Sequence, residues 1–171
     1  MISNGQSNVQ LIVNIAQQTL TLYRQQTKIR CYTISTAKNG VGSQQDSGRT
    51  PLGTHIIAQK IGADQPINSV FIGRVPTGEI YSPSLANEYP NRDWILSRIL
   101  WLQGLEEGIN KGCNDQGGCD TYERYIYIHG TPDSEPMGVP YSHGCIRMRN
   151  QDIVELFAQV EEGTPVSIVA A

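Results

Sequence analysis

The 171-residue sequence predicts a mostly β fold with one inserted helix and one late helix. Three observations predict it. Short β-branched segments separated by polar turns fill the first third. Apolar residues recur at helical spacing from Asn91 to Glu107. They recur again after Asn150, followed by a Gly-Thr-Pro stop and a closing β-rich run. The length suits one domain over residues 1–171, large enough to bury a core without disulfide staples.

Asn8–Asn14 and Thr19–Tyr23 are two strands joined at Gln17-Gln18, the second alternating polar and apolar residues. Ile29–Ser35 is a third strand. Lys38–Arg49 carries Gly40, Gly42 and Gly48 and is a loop, ended by Thr50-Pro51-Leu52-Gly53-Thr54. His55–Ala58 and Ser69–Arg74 are further strands. From Asn91, a candidate N-cap, Trp94, Ile95, Ile99, Leu100, Leu102 and Leu105 mark a helix that reaches Glu107. A Gly- and Cys-rich loop follows, and the strand Tyr125–Ile128 delivers His129. Asn150 is a candidate N-cap for the late helix, with Ile153, Val154, Leu156, Phe157 and Val160 as its buried stripe. Gly163 stops it, and Thr164–Val169 closes the chain as a strand, with Pro165 near its start.

Composition excludes some partners. The net charge is −3, with no basic stripe for nucleic acid and no polybasic patch for a membrane surface. No apolar run is long enough to span a bilayer. The N-terminus Met1-Ile2-Ser3-Asn4-Gly5-Gln6 lacks the pattern of an export signal. A cytoplasmic location is therefore expected if Met1 is the native start, and a periplasmic one if a signal has been removed. The four cysteines are expected as thiols, with a loop disulfide between Cys113 and Cys119 as the alternative. Cys31 is expected in the core, and His55 to be structural or solvated.

The chemistry-bearing stretch is Tyr141-Ser142-His143-Gly144-Cys145-Ile146-Arg147-Met148. A thiol needs a neighbour to take its proton, and histidine suits that task at neutral pH. His129 lies sixteen residues before Cys145, and His143 two. An extended backbone would place Cys145, Arg147 and Arg149 on one face, with Ile146 and Met148 toward the core. Arg147 could then grip a substrate carboxylate. Gly144, without a side chain, could present its N–H to an oxyanion. A zinc site from His129, His143, Cys145 and Cys113 or Cys119 is the alternative, but no metal-ligand spacing supports it.

His129-Gly130-Thr131 followed by Ser142-His143-Gly144-Cys145-Ile146-Arg147-Met148 resembles the signature of the L,D-transpeptidase catalytic domain, the YkuD domain. Thr50-Pro51-Leu52-Gly53 is similar to that family's Thr-Pro-x-Gly turn. The resemblance runs from about Val9 to Val169. It implies a β-sandwich with the site in a cleft under a lid, and the enlarged segment 91–124 is expected to be that lid. It implies Cys145 as nucleophile, His129 as base and the Gly130 carbonyl as its orienter. Gly144 and Cys145 would supply oxyanion N–H groups. Ser142, His143 and Arg147 would line the substrate site, with Thr131 and Tyr141 beside them.

The substrates implied are peptidoglycan tetrapeptide stems or muropeptides, cleaved between diaminopimelate and D-Ala. No cofactor or metal is implied, and carbapenems are expected to acylate Cys145. The missing export signal makes water the expected acceptor, as in the family's signal-less L,D-carboxypeptidases of wall recycling. The alternatives are a cross-linking L,D-transpeptidase, a peptidase acting on proteins and a non-catalytic peptidoglycan-binding module.

Overall fold

The computed structural model describes residues 8–171. The polar N-terminus on which the cytoplasmic expectation rests lies outside the described residues. Strands β1 (Val9–Asn14), β2 (Thr19–Arg24) and β3 (Thr27–Ser35) form an antiparallel meander. Then follow β4 (Gly53–Ile61) and the hairpin of β5 (Ser69–Ile72) and β6 (Val75–Ile80). The short helix α1 (Pro83–Glu88) precedes β7 (Ile95–Gly104), the two-residue strands β8 (Cys113–Asn114) and β9 (Gly117–Gly118), and β10 (Tyr127–Thr131). The chain ends with β11 (Ile146–Arg149), α2 (Asn150–Gln159) and β12 (Pro165–Val169).

The main sheet runs β10-β11-β3-β2-β1-β12-β4-β7, and pairing of β7 with β10 closes it into a barrel. The expected sandwich is thus a closed sheet, and closure removes the exposed edges an open sheet would have. β5 pairs with β7 and carries β6 outside the ring. The interior holds Leu11, Val13, Leu20, Leu22, Ile34, Leu100, Leu102, Ile128, Ile146 and Met148. From α2, Ile153, Leu156 and Phe157 join the same cluster, as their helical spacing requires.

The helix expected over 91–107 is not there: Ile95–Gly104 is β7. Both faces of this strand are covered. Leu100 and Leu102 enter the barrel core, while Ile99 and Trp101 pack outside with Phe71 and Tyr127. A strand buried on both sides loses its polar alternation and can mimic helical spacing. Two smaller corrections follow from side-chain direction. Cys31 is exposed, because Tyr32 and Ile34 take the core face of β3. Asn150 is not an N-cap. Its amide donates to the Thr131 carbonyl at 2.8 Å and accepts from the Ser97 hydroxyl at 2.7 Å, tying α2 to β10 and β7.

His55 is structural. Its buried ring bonds the Gly53 carbonyl through Nδ1 at 3.0 Å and the Thr121 hydroxyl through Nε2 at 2.9 Å. A carbonyl only accepts, so Nδ1 carries the proton and Nε2 accepts from Thr121. Burial pushes the pKa down to about 4, against roughly 6.5 in an unfolded chain. A depressed folded pKa means the contribution is whole above the unfolded value. It is lost as pH falls through that value toward the folded one, by about 3 kcal/mol in total. The urea midpoint is expected to drop between pH 7 and pH 4, and to drop less in His55→Gln.

Candidate active site

The parallel pairing of β10 with β11 builds the site. Ile128 is opposite Ile146 and His129 opposite Arg147. Paired residues point to the same side of a sheet, so His129 and Arg147 share the outer face while Ile128, Ile146 and Met148 fill the barrel. Cys145, one residue before β11, continues the outer row beside Tyr127 and packs against its cluster. The β10–β11 crossover, residues 132–145, is an irregular loop rather than a helix.

Gly144, at φ +136°, takes a backbone conformation that residues with a Cβ rarely adopt. The Thr50 hydroxyl, from the Thr-Pro-x-Gly turn, donates to the Gly144 carbonyl at 2.9 Å and accepts the Ala37 N–H at 3.0 Å. The Ser142 hydroxyl donates to the Cys145 carbonyl at 2.6 Å and accepts the Gly144 N–H at 3.2 Å. Ser142 is thus buried in the turn, at the wall of the cavity that holds Cys145. The Gly144 N–H is already engaged, which leaves the Cys145 N–H as the candidate oxyanion donor.

Cys145 is half-buried, and its Sγ accepts the Tyr127 N–H at 3.3 Å and donates to the Tyr125 carbonyl at 3.4 Å. Burial pushes the thiol up to about 11, against the lowering pull of the Tyr127 N–H and of Arg147 and Arg124. His129 is buried and hydrogen-bonds the Gly130 carbonyl at 2.6 Å through Nδ1, which must therefore carry the proton. Its Nε2 is left as an acceptor. Burial, the larger effect, lowers the imidazole's pKa. The resting pair is a neutral thiol and a neutral imidazole, which suits general-base transfer rather than a preformed ion pair. Gly130 has no room for a side chain, since a Cβ would stand 2.6 Å from the Leu96 carbonyl oxygen.

A cavity of about 490 Å³ opens over the thiol, lined among others by Arg74, Asp93, Arg124, His129, Cys145 and Arg147. A second, of about 290 Å³, shares Asp93, His143 and Arg147 with it and adds Lys38, Thr131, Glu135 and Tyr141. Arg147 is buried and held by Asp93 at 3.2 Å and Glu135 at 3.8 Å, so carboxylates of the chain itself occupy it. His143 is exposed on the rim, with Nδ1 3.6 Å from Asp93. Tyr141 is exposed. The Thr131 hydroxyl is buried without a hydrogen-bond partner among the described residues.

Of the segment expected as a lid, Asp93, Ile95 and Arg124 border the larger cavity. Its middle is barrel strand. Cys113 and Cys119 border neither cavity, and all four cysteines are free. Among the described residues, no three His, Cys, Asp or Glu are placed to hold a metal ion.

Sequence reasoning missed Asp93, Arg74 and Arg124. Asp93 comes from a loop mistaken for helix. Arg74 comes from a hairpin turn with no motif. Arg124 is fixed by the Arg49 carbonyl at 2.7 Å and the Gly42 carbonyl at 3.3 Å, contacts no local pattern encodes.

Residues 8–168 match the model of the L,D-transpeptidase catalytic domain, YkuD. The chain belongs to this family. It is 38% identical over 65 residues to a putative L,D-transpeptidase YkuD of Bacillus licheniformis, covering 35% of this chain and 39% of that one. It is 46% identical over 46 residues to the probable L,D-transpeptidase YbiS of Escherichia coli K12, covering 27% of this chain and 15% of that one. In fold it is similar to the LD transpeptidase LdtMt1 solved in complex with imipenem. The TM-score is 0.56 at 20% identity, over 95% of this chain and 59% of that one. This L,D-transpeptidase-type chain thus spans less than two thirds of each of these relatives.

Proposed function

We propose that this chain is a cysteine acyl-transfer enzyme acting on peptidoglycan tetrapeptide stems, with water as the acceptor. The supporting observation is a half-buried thiol, a base-ready imidazole and three guanidinium groups around one cavity, in a chain of this family. Cys145 attacks the carbonyl at the L-centre of diaminopimelate. His129 Nε2 takes the thiol proton, which leaves the Tyr125 carbonyl as Sγ turns inward. The same proton then goes to the nitrogen of the departing D-Ala. The oxyanion formed in between meets the Cys145 N–H. Water, activated by His129, splits the thioester and releases a tripeptide.

Cys145 is open to the cavity, so water can reach the thioester. Soluble muropeptides in the cytoplasm are the proposed substrates for this hydrolytic role. A second reading, cross-linking to an amine, is favoured by the adjoining cavity at Asp93, His143 and Arg147, which offers a separate approach for an acceptor. Incubation with disaccharide-tetrapeptide decides. Free tripeptide and D-Ala are expected, and cross-linked dimer with little tripeptide would contradict water as the acceptor. A carbapenem is proposed to acylate the same thiol.

A further inference from the structure

We propose that Arg74 recognises a substrate carboxylate beside the scissile bond; this deepens the acyl-transfer reading and rests on it. Three arginines line the cavity over Cys145, and two are already engaged. Arg147 is held by Asp93 and Glu135. Arg124 is fixed by the carbonyls of Arg49 and Gly42 and by the Ser47 hydroxyl. Arg74 has no carboxylate within 4.0 Å among the described residues. Its partners are neutral: Nη1 donates to the Tyr127 hydroxyl at 2.9 Å. Its Cζ stands 4.7 Å from the Trp101 ring centroid and 4.8 Å from that of Tyr125.

Stacking of this kind orients a guanidinium without neutralising it, and the N–H donors not used by Tyr127 stay open to an anion. Tyr127 links this cation to the chemistry, because its hydroxyl holds Arg74 while its N–H contacts Sγ at 3.3 Å. The backbone supports the placement. Gly73 and Arg74 form the two-residue turn between β5 and β6, with φ +55° and +67°. Such a turn favours Gly or Asn at both positions. A non-glycine residue here accepts a left-handed backbone, and what it adds is a cation over β10.

Two carboxylates of a tetrapeptide stem belong to the residues that share the scissile bond: the C-terminus of the leaving D-amino acid and the side-chain carboxylate of the diamino acid. The chemistry is shared, and amide-capped substrates separate the two sources. The wild type, Arg74→Gln and Arg74→Lys are assayed on the free acid, the C-terminal amide and the side-chain amide. Arg74→Gln is expected to lower kcat/KM on the free acid by about 10- to 100-fold, mostly through KM. Arg74→Lys restores part of it. On the amide that lacks the recognised carboxylate, the effect of Arg74→Gln disappears.

Equal losses on all three substrates would overturn the proposal. A second measurement does not depend on the peptide reaction: the ratio of Cys145 alkylation rates with iodoacetate and iodoacetamide. Arg74→Gln is expected to lower that ratio several-fold, and Arg74→Lys to keep it. An unchanged ratio in Arg74→Gln overturns the role of Arg74. If the wild type turns over no stem peptide, the acyl-transfer reading fails, and the alkylation ratio still decides on Arg74.

Discussion

Cys145→Ser is expected to lose at least about 10⁴-fold in turnover of a tetrapeptide, because a hydroxyl is far harder to ionise than a thiol and far less nucleophilic. The melting temperature is expected to stay close to the wild type. A serine hydroxyl can keep the hydrogen bonds to the Tyr125 carbonyl and the Tyr127 N–H that the thiol makes. Covalent labelling by a carbapenem, followed by intact mass, is expected to disappear in the same variant. Residual turnover within tenfold of the wild type would place the chemistry elsewhere.

The second large effect belongs to His129. With the thiol held at about 11, roughly one molecule in 10⁴ is a thiolate at pH 7. Direct attack by thiolate is therefore expected to be minor, with a base carrying most of the turnover. His129→Gln is expected to cost about 10²- to 10⁴-fold in kcat at pH 7. The pH dependence carries the sharper signature. In the proposed mechanism His129 acts in its neutral form, and burial holds its pKa below the ordinary histidine value. Wild-type activity is thus expected to persist through pH 6.5 and to fall only as pH drops through the depressed value. Lacking the base, His129→Gln is expected to gain about tenfold per pH unit up toward the thiol's own pKa. A wild-type profile that rises tenfold per unit from pH 6 to 9 would show that His129 takes no proton.

The placement of the candidate site residues was more legible in the sequence than the fold that carries them. The outer row of Cys145 and Arg147, with Ile146 and Met148 turned inward, follows from the two-residue period of a strand, and the structure has that arrangement. The strand that delivers His129 is local too. Two things were not local. β7 is apolar on both faces because it lies between the barrel core and the outer cluster of Phe71, Trp101 and Tyr127. Burial on both sides erased the alternation that identifies strands.

Closure of the sheet likewise depends on β7 meeting β10, a pairing no turn residue announces. The occupant of Arg147 was also hidden. Asp93 and Glu135 reach it from loops 54 and 12 residues away in sequence, so a guanidinium expected to face a substrate carboxylate is paired within the chain. Asn150 has the residue type of a cap, yet β10 and β7 claim its amide.

The central claim is that the acyl group passes through Cys145. It is tested most directly by mixing the protein with a defined tetrapeptide stem, quenching in acid within the first turnovers, and mapping the digest by mass spectrometry. The result expected is a tripeptidyl thioester on the Cys145 peptide, formed as D-Ala is released and lost when turnover ends. Release of D-Ala with Cys145 unmodified, or at an undiminished rate after Cys145 has been alkylated, would contradict it.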